Sequence, residues 1–139
     1  MSLDWSRSDS LALGISALAS LFGIALWPQL PAEVAVHFSG SGTPDNYVPK
    51  AVGVALLPAI MLATLLVLNV STAVDPPSNP QTGPVITVAT TAFLGAVHVA
   101  VLAWNAGYPV PLDGLLVGSL VFGALLVGYT LWREGVSLG

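Results

Sequence analysis

Four long apolar segments divide the chain, and they are separated by short stretches rich in polar residues, glycine and proline. The four segments span residues 10–27, 51–74, 85–104 and 113–132. Each has close to the roughly 20 residues that an α-helix needs to cross the hydrocarbon core of a bilayer. Only helices or closed barrels satisfy every backbone group in lipid, and these segments lack the alternation of a barrel strand. The pattern predicts an all-α integral membrane protein with four transmembrane helices, in one domain over residues 1–139.

The segment between the first two helices, residues 28–50, is predicted to be a structured loop at one membrane face. It is longer than the about 12–15 residues beyond which loops are usually functional or disordered. Apolar Val34, Val36 and Phe38 alternate with other residues, which indicates a short extended piece with its apolar side on the helix ends. A cluster of glycine, proline, Asp and Asn then favours a turn over residues 39–46.

The same segment resembles the signature LPxxVPxHFxxxGxPDxxxxK of a membrane domain at the N-terminus of SdpI-like proteins. The matching residues are Leu30, Pro31, Val34, His37, Phe38, Gly42, Pro44, Asp45 and Lys50. Ala35 stands where the signature has its second proline. The resemblance implies an integral membrane protein, and some SdpI-like proteins protect the cell from a secreted peptide toxin and relay its presence to a regulator. A second region carried by the longer members of that group has no recognisable counterpart here.

Composition supports the membrane assignment and excludes several functions. The chain is 55% hydrophobic and 7% charged, whereas soluble domains carry about 25% charged residues. Three Lys and Arg in all give nucleic-acid binding no electrostatic basis. No cysteine is present, so disulfides and thiolate metal sites are excluded. We expect no cofactor.

Charges and aromatic residues at the helix ends predict the orientation. Arg7 and Arg133 flank the side of the termini, and Lys50 alone flanks the other, which favours cytoplasmic termini in the cell membrane and an extracytoplasmic loop. The rings fall at two interfaces, as amphipathic side chains should. Trp5, Tyr129 and Trp132 lie on the termini side, and Trp27, Tyr47, Trp104 and Tyr108 on the other. The first segment is expected to be an anchor and not a cleaved signal, because further spans follow it. In addition, Asp4 and Asp9 precede the apolar run, whereas a signal peptide starts with positive charge.

Polar residues inside the predicted helices are the second group of candidates. Thr91, His98 and Asn105 recur on one face of the third helix, and Asn69 lies in the second. Ionisable residues in membranes are costly and often mark a functional interior or relay. The alternative is a neutral imidazole hydrogen-bonded to a neighbouring helix. In both cases His98 should face the bundle, and the two asparagines should link helices.

The ionisable residues of the loop are His37, Asp45, Glu33 and Lys50. One His and two carboxylates are chemically sufficient for zinc, but nothing in their spacing makes them converge, so we expect no metal. The favoured interpretation is that His37 and Asp45 hydrogen-bond the backbone of the loop. Lys50 opposes the dipole at the start of the second helix, so it should either pair with Asp45 or Glu33 or reach the lipid headgroups.

Small residues on two helices indicate close helix packing. On the first helix they are Ala12, Ser16, Ser20 and Gly23, and on the fourth the pairs Gly114 with Gly118, Ser119 with Gly123 and Ala124 with Gly128. These faces could pack within the chain or form a homo-oligomer in the bilayer.

The predicted function is that of a non-enzymatic binding, sensing or immunity-type membrane protein. Its loop would contact an extracytoplasmic peptide or a lipid headgroup through Pro31, His37, Phe38, Gly42, Pro44, Asp45 and Lys50. The alternative is a small transporter or channel subunit with a polar path near His98, and a third hypothesis is a membrane metalloenzyme using His37. No nucleophile and base are recognisable by spacing, so no catalytic residue is predicted.

Overall fold

The computed structural model describes residues 5–135, so the ends of the predicted domain, including Asp4, lie outside the described residues. Within this range the elements are α1 (Arg7–Leu26), a 3₁₀ turn (Trp27–Gln29), β1 (Glu33–Phe38), β2 (Pro44–Pro49), α2 (Lys50–Val74), α3 (Thr82–Asn105) and α4 (Asp113–Glu134). All four helices are long and apolar enough to cross a membrane. The predicted spans are confirmed, and the chain is a multi-pass membrane protein.

Contacts at the helix ends define two ends of the bundle. The start of α4 lies against the turn between β1 and β2, since a Cβ added to Gly42 would be 2.9 Å from the amide nitrogen of Asp113. The end of α4 meets the α2–α3 connection, where Glu134 accepts hydrogen bonds from Ser78. We call the end that carries β1 and β2 the hairpin end and the other the opposite end.

Helices α1, α2 and α3 pack against one another and form the interior of the molecule. The buried face of α3 carries Thr87, Thr91, Gly95, His98, Val101 and Leu102. In contrast, α4 has no buried residue and contacts α3 through the stacked rings of Phe93 and Phe122, whose centroids are 4.2 Å apart. Most of the α4 surface is therefore left uncovered by the described part of the chain.

The small residues of α1 and α4 behave differently. A Cβ on Gly23 would be 2.9 Å from a methyl group of Val54, so this glycine allows α1 and α2 to approach closely. Ala12 and Ser16 are buried on the same side, and Ser20 is half-buried. A Cβ added to any of the four glycines within α4 would meet nothing within 4 Å beyond its own part of the helix, among the described residues. These glycines therefore do not mediate close packing inside this part of the chain.

The segment predicted as a loop contains a two-stranded antiparallel sheet, so the all-α prediction is wrong at this point. Glu33 pairs with Pro49 and Phe38 with Pro44. The predicted extended piece is confirmed as β1, and Val34, Val36 and Phe38 pack on the helices. Strict alternation is broken at Ala35, which is buried as well. The pairing is irregular between Ala35 and His37, and such a bulge changes which side chains face the sheet surface.

Candidate functional site

An exposed pair of polar side chains lies on the hairpin. The Nδ1 atom of His37, near the end of β1, is 2.5 Å from Oδ1 of Asp45 at the start of β2. The side chains are 69% and 49% exposed. The prediction that these residues bond the backbone of the loop is therefore wrong, because strand pairing already satisfies that backbone and brings the two side chains together.

The hairpin turn holds this pair in place and contacts α4. The N–H of Ser39 donates to the carbonyl of Thr43 at 2.8 Å, and the N–H of Gly42 donates to the carbonyl of Ser39 at 2.9 Å. Gly42 has a φ of 82°, in the region that favours glycine. Since a Cβ there would also meet the backbone of Asp113, Gly42 has a structural role, and the exposed surface is left to its neighbours.

Two buried contacts fix the base of the hairpin to the helices. Val34 is fully buried, and its Cγ2 lies 2.1 Å from where a Cβ on Gly53 would be. Beside it, the side-chain amide of Asn105 pairs with both backbone groups of Ala35. Its Oδ1 accepts from the Ala35 N–H at 2.8 Å, and its Nδ2 donates to the Ala35 carbonyl at 2.9 Å. Asn105 therefore links α3 to β1. The prediction was that it would link two helices, and that prediction is wrong.

Of the aromatic and proline residues of the signature, some pack against the helices and others are exposed to solvent. The ring of Phe38 meets Trp104 edge to face, with centroids 5.4 Å apart, so Phe38 fastens β1 to the end of α3. Pro44 is half-buried at the start of β2, whereas Pro31 is exposed. Phe38 thus packs on a helix end, as its place in the predicted extended piece indicated, and is less available to a ligand than predicted.

Lys50 contacts Trp27 and does not form the predicted pair with Asp45 or Glu33. Its Nζ donates to the carbonyl of Trp27 at 3.3 Å and lies 4.5 Å from the centroid of the Trp27 ring. Among residues 5–135, the ion pair of His37 with Asp45 is the one present, so Lys50 pairs with neither Asp45 nor Glu33. The Trp27 carbonyl also accepts from the N–H of Leu30 and keeps a second lone pair for Lys50. This oxygen and the aromatic face explain why a cation is stable here.

His98 lies inside the bundle, as predicted, with 1% of its surface exposed. A Cβ added to Gly23 would be 3.4 Å from its Nε2 atom, so the imidazole packs against α1. Nε2 has no hydrogen-bond partner among the described residues. The imidazole does interact with the backbone of Ala19 on α1, in agreement with the predicted hydrogen bond to a neighbouring helix.

The polar residues of α3 do not form a continuous path through the described part of the molecule. Thr91 donates to the carbonyl of Thr87 on its own helix at 2.7 Å, and Asn105 is occupied by Ala35. Between His98 and Asn105 lies Leu102, which is 1% exposed and packs in an apolar cluster at the hairpin end. A path from the opposite end to His98 would stop at this cluster.

Asn69 links two helices, as predicted, and identifies a residue that sequence reasoning missed. Its Nδ2 donates to Oδ2 of Asp9 at 3.0 Å. Asp9 was considered only as a charge flanking the first span, but it is 5% exposed. The Ser-x-x-Asp spacing from Ser6, typical of a helix start, could have indicated that Asp9 folds back on the chain.

No group of three or more His, Asp or Glu side chains that could hold a metal is found in residues 5–135. His37 has one carboxylate neighbour, Asp45, and a zinc site with catalytic function needs three protein ligands. The arrangement is suited to hydrogen bonding and to recognition of a polar group.

Comparison with known proteins gives one match. Residues 14–62 match the model of a domain of unknown function, DUF1648. The match covers most of α1, the hairpin and the first half of α2, and it does not extend to α3 or α4. No curated protein and no solved structure matches the chain. The chain is thus a multi-pass membrane protein that carries a match to DUF1648 across its hairpin.

Proposed function

We propose that this protein is a non-enzymatic binding or sensing protein whose hairpin end receives a peptide or a lipid headgroup. The observation that carries the proposal is the exposed pair of His37 and Asp45 on a hairpin that is otherwise fixed. Val34, Ala35 and Phe38 attach β1 to two helices, yet the neighbouring pair remains open to solvent. Side chains held in this way lose little conformational freedom when a ligand binds.

The chemistry of the pair defines the ligand groups that it would accept. A carboxylate accepts hydrogen bonds only, whereas the imidazole keeps its second nitrogen free to donate or accept. Ammonium, amide and hydroxyl groups of peptides and headgroups satisfy these requirements. Lys50 and Trp27 are in contact at the base of the hairpin, and both are residue types common at a membrane interface. The hairpin would therefore meet a ligand near the level of the headgroups.

The resemblance to SdpI-like proteins supports an immunity-type or sensing function. The signature residues fall in the hairpin and its borders, and the DUF1648 match covers the same segment. In this proposal the termini are cytoplasmic and the hairpin is extracytoplasmic, in agreement with the distribution of Arg7, Arg133 and Lys50.

Histidine NMR provides a direct test, because the chain has two histidines, one exposed and one buried. The full chain, labelled at histidine and held in phosphatidylcholine nanodiscs, would be titrated with short-chain phosphatidylethanolamine, short-chain phosphatidylglycerol or a set of secreted peptides. We expect at least one of these probes to shift the His37 signals and not those of His98. Asp45→Ala should weaken that binding at least fivefold.

Glu33→Ala is the matched control, because it removes an exposed carboxylate of the same hairpin that forms no ion pair within residues 5–135. Binding that survives both His37→Ala and Asp45→Ala would remove the hairpin pair from the mechanism.

Transport is a second candidate, and the buried Nε2 of His98 without a partner favours it, since such an atom is costly unless it has a role. This hypothesis predicts proton or potassium flux in liposomes that falls when His98 is changed to Ala. Equal flux with and without the protein would reject it.

A further inference from the structure

A cavity of about 360 Å³ lies at the opposite end of the bundle, away from the hairpin. It is half-open and is lined by the start of α1, the end of α2, the α2–α3 connection and the start of α3. Its polar lining includes Ser6, Asp9, Asn69, Thr72, Asn79 and Thr87. We call it the Asp9 cavity. Its volume falls within the range of about 300–1,000 Å³ that is typical of ligand sites.

Asp9 is the charged group of this cavity, and only one of its two carboxylate oxygens is hydrogen-bonded. Oδ2 accepts from the N–H of Ser6 at 2.9 Å, from the hydroxyl of Ser6 at 2.9 Å and from Nδ2 of Asn69 at 3.0 Å. Oδ1 accepts no hydrogen bond from any residue in the described part of the chain. The side chain is nonetheless almost completely buried.

No cation compensates this carboxylate within residues 5–135. The lining of the Asp9 cavity contains no Lys, Arg or His, and no ion pair to Asp9 is present in that part of the chain. Buried charges are normally paired or bound to a metal ion. The α1 N-terminus and Ser6 stabilise the carboxylate in part, but their contacts are all made to Oδ2.

We propose that the Asp9 cavity binds a partly hydrated monovalent alkali cation, with Oδ1 of Asp9 as its charged ligand. The neutral lining is oxygen-rich: the hydroxyls of Ser6, Thr72 and Thr87 and the side-chain carbonyl of Asn69 are hard donors. Hard donors of this kind suit alkali and alkaline-earth cations.

The charge and size of the cavity favour a monovalent ion over a divalent one. One carboxylate neutralises a single positive charge, and no cluster of three acidic or histidine side chains occurs among the described residues. Since a water molecule takes about 30 Å³ in the liquid, the cavity has room for an ion together with several of its waters. The site is distinct from the hairpin pair and does not depend on it.

Radiolabelled sodium binding to the full chain tests the proposal. Protein in nanodiscs of uncharged phosphatidylcholine would be incubated with ²²Na⁺, and unlabelled NaCl, KCl or choline chloride would be added at constant ionic strength. We expect saturable binding of about one ion per chain that alkali ions displace and choline does not. Asp9→Asn keeps the side-chain shape and the acceptor for Ser6, and it should weaken the binding at least tenfold.

Asp75→Asn is the matched control, because it removes the same charge from an exposed position at the same end without changing the lining of the Asp9 cavity. It should bind sodium like the unchanged protein. Should Asp9→Asn fail to fold, Thr87→Val supplies the second variant, with an expected loss of at least threefold. Absence of saturable binding in the unchanged protein, equal displacement by choline, or full binding by a folded Asp9→Asn would each overturn the proposal.

Discussion

At the scale of single residues, the closest approach between the hairpin and the helices occurs at a glycine. Gly53 lies in the first turns of α2, directly beneath β1. The methyl group of Val34 occupies the space that a side chain at this position would need. Val34 is short and branched at Cβ, so it cannot turn away as a long flexible side chain would.

The change Gly53→Ala should therefore destabilise the protein. We expect a loss of about 1–3 kcal/mol, as for other overpacked interiors, measured as a lower midpoint of thermal unfolding in detergent. Gly114→Ala is the control, since this glycine is also helical but a Cβ added to it would meet no other described residue within 4 Å. A Gly53→Ala protein as stable as the Gly114→Ala protein would contradict the packing described here.

At the scale of elements, the attachment of β1 to α3 depends on one side chain. Asn105 offers both a donor and an acceptor to Ala35, as a neighbouring strand would, and its Nδ2 also donates to the Val101 carbonyl of its own helix at 2.8 Å. A leucine of similar size could fill the space but could form none of these bonds.

We expect Asn105→Leu to loosen the hairpin while leaving the helices in place. The buried backbone groups of Ala35 would lose their partners, at a cost of about 1–3 kcal/mol each. Hydrogen exchange followed by mass spectrometry should show at least tenfold faster exchange for residues 33–38 and little change in α1. Asn46→Leu, at an exposed position of β2, serves as the control, and equal protection in both variants would count against the role of Asn105.

The helices could be predicted from the sequence because lipid requires a long uncharged segment for each span, and that requirement is local. The strand β2 could not. Pro44, Asp45, Asn46 and Pro49 are residues that strands disfavour, and only pairing with β1 above α2 stabilises them as a strand. Hydropathy therefore indicates where the chain crosses the membrane but not what connects the crossings.

The residues of the candidate site could be predicted from the sequence, but their contacts could not, because those contacts depend on the fold. His37 and Asp45 were selected from the signature, but their contact depends on strand register, which a bulge alters. The contact of Lys50 with Trp27 and the burial of Asp9 join residues far apart in the chain. Charge and spacing alone do not identify such partners.

At the scale of the whole molecule, four spans place the hairpin and the α2–α3 connection on opposite faces of the membrane. The chain has no cysteine, so single cysteines can report on each face. In sealed vesicles, Ser41→Cys in the hairpin turn and Asp75→Cys after α2 should react with a membrane-impermeant maleimide from opposite sides. Labelling of both from the same side would refute the four-span topology.

The control for this experiment is a cysteine within a span, such as Val67→Cys in α2, whose side chain is exposed in the isolated chain. Lipid should shield it from the reagent until detergent is added. Immediate labelling of this position would mean that water and not lipid surrounds α2.

The strand edges of the hairpin restrict how a partner can associate with it. Exposed edges commonly recruit an additional strand from another chain. On one edge, the outward groups of Ala35 are already occupied by Asn105. On the other, β2 begins at Pro44 and ends at Pro49, and neither residue has an N–H to donate. A partner strand therefore cannot extend this sheet along its full length, and the same feature reduces edge-to-edge aggregation of the hairpin.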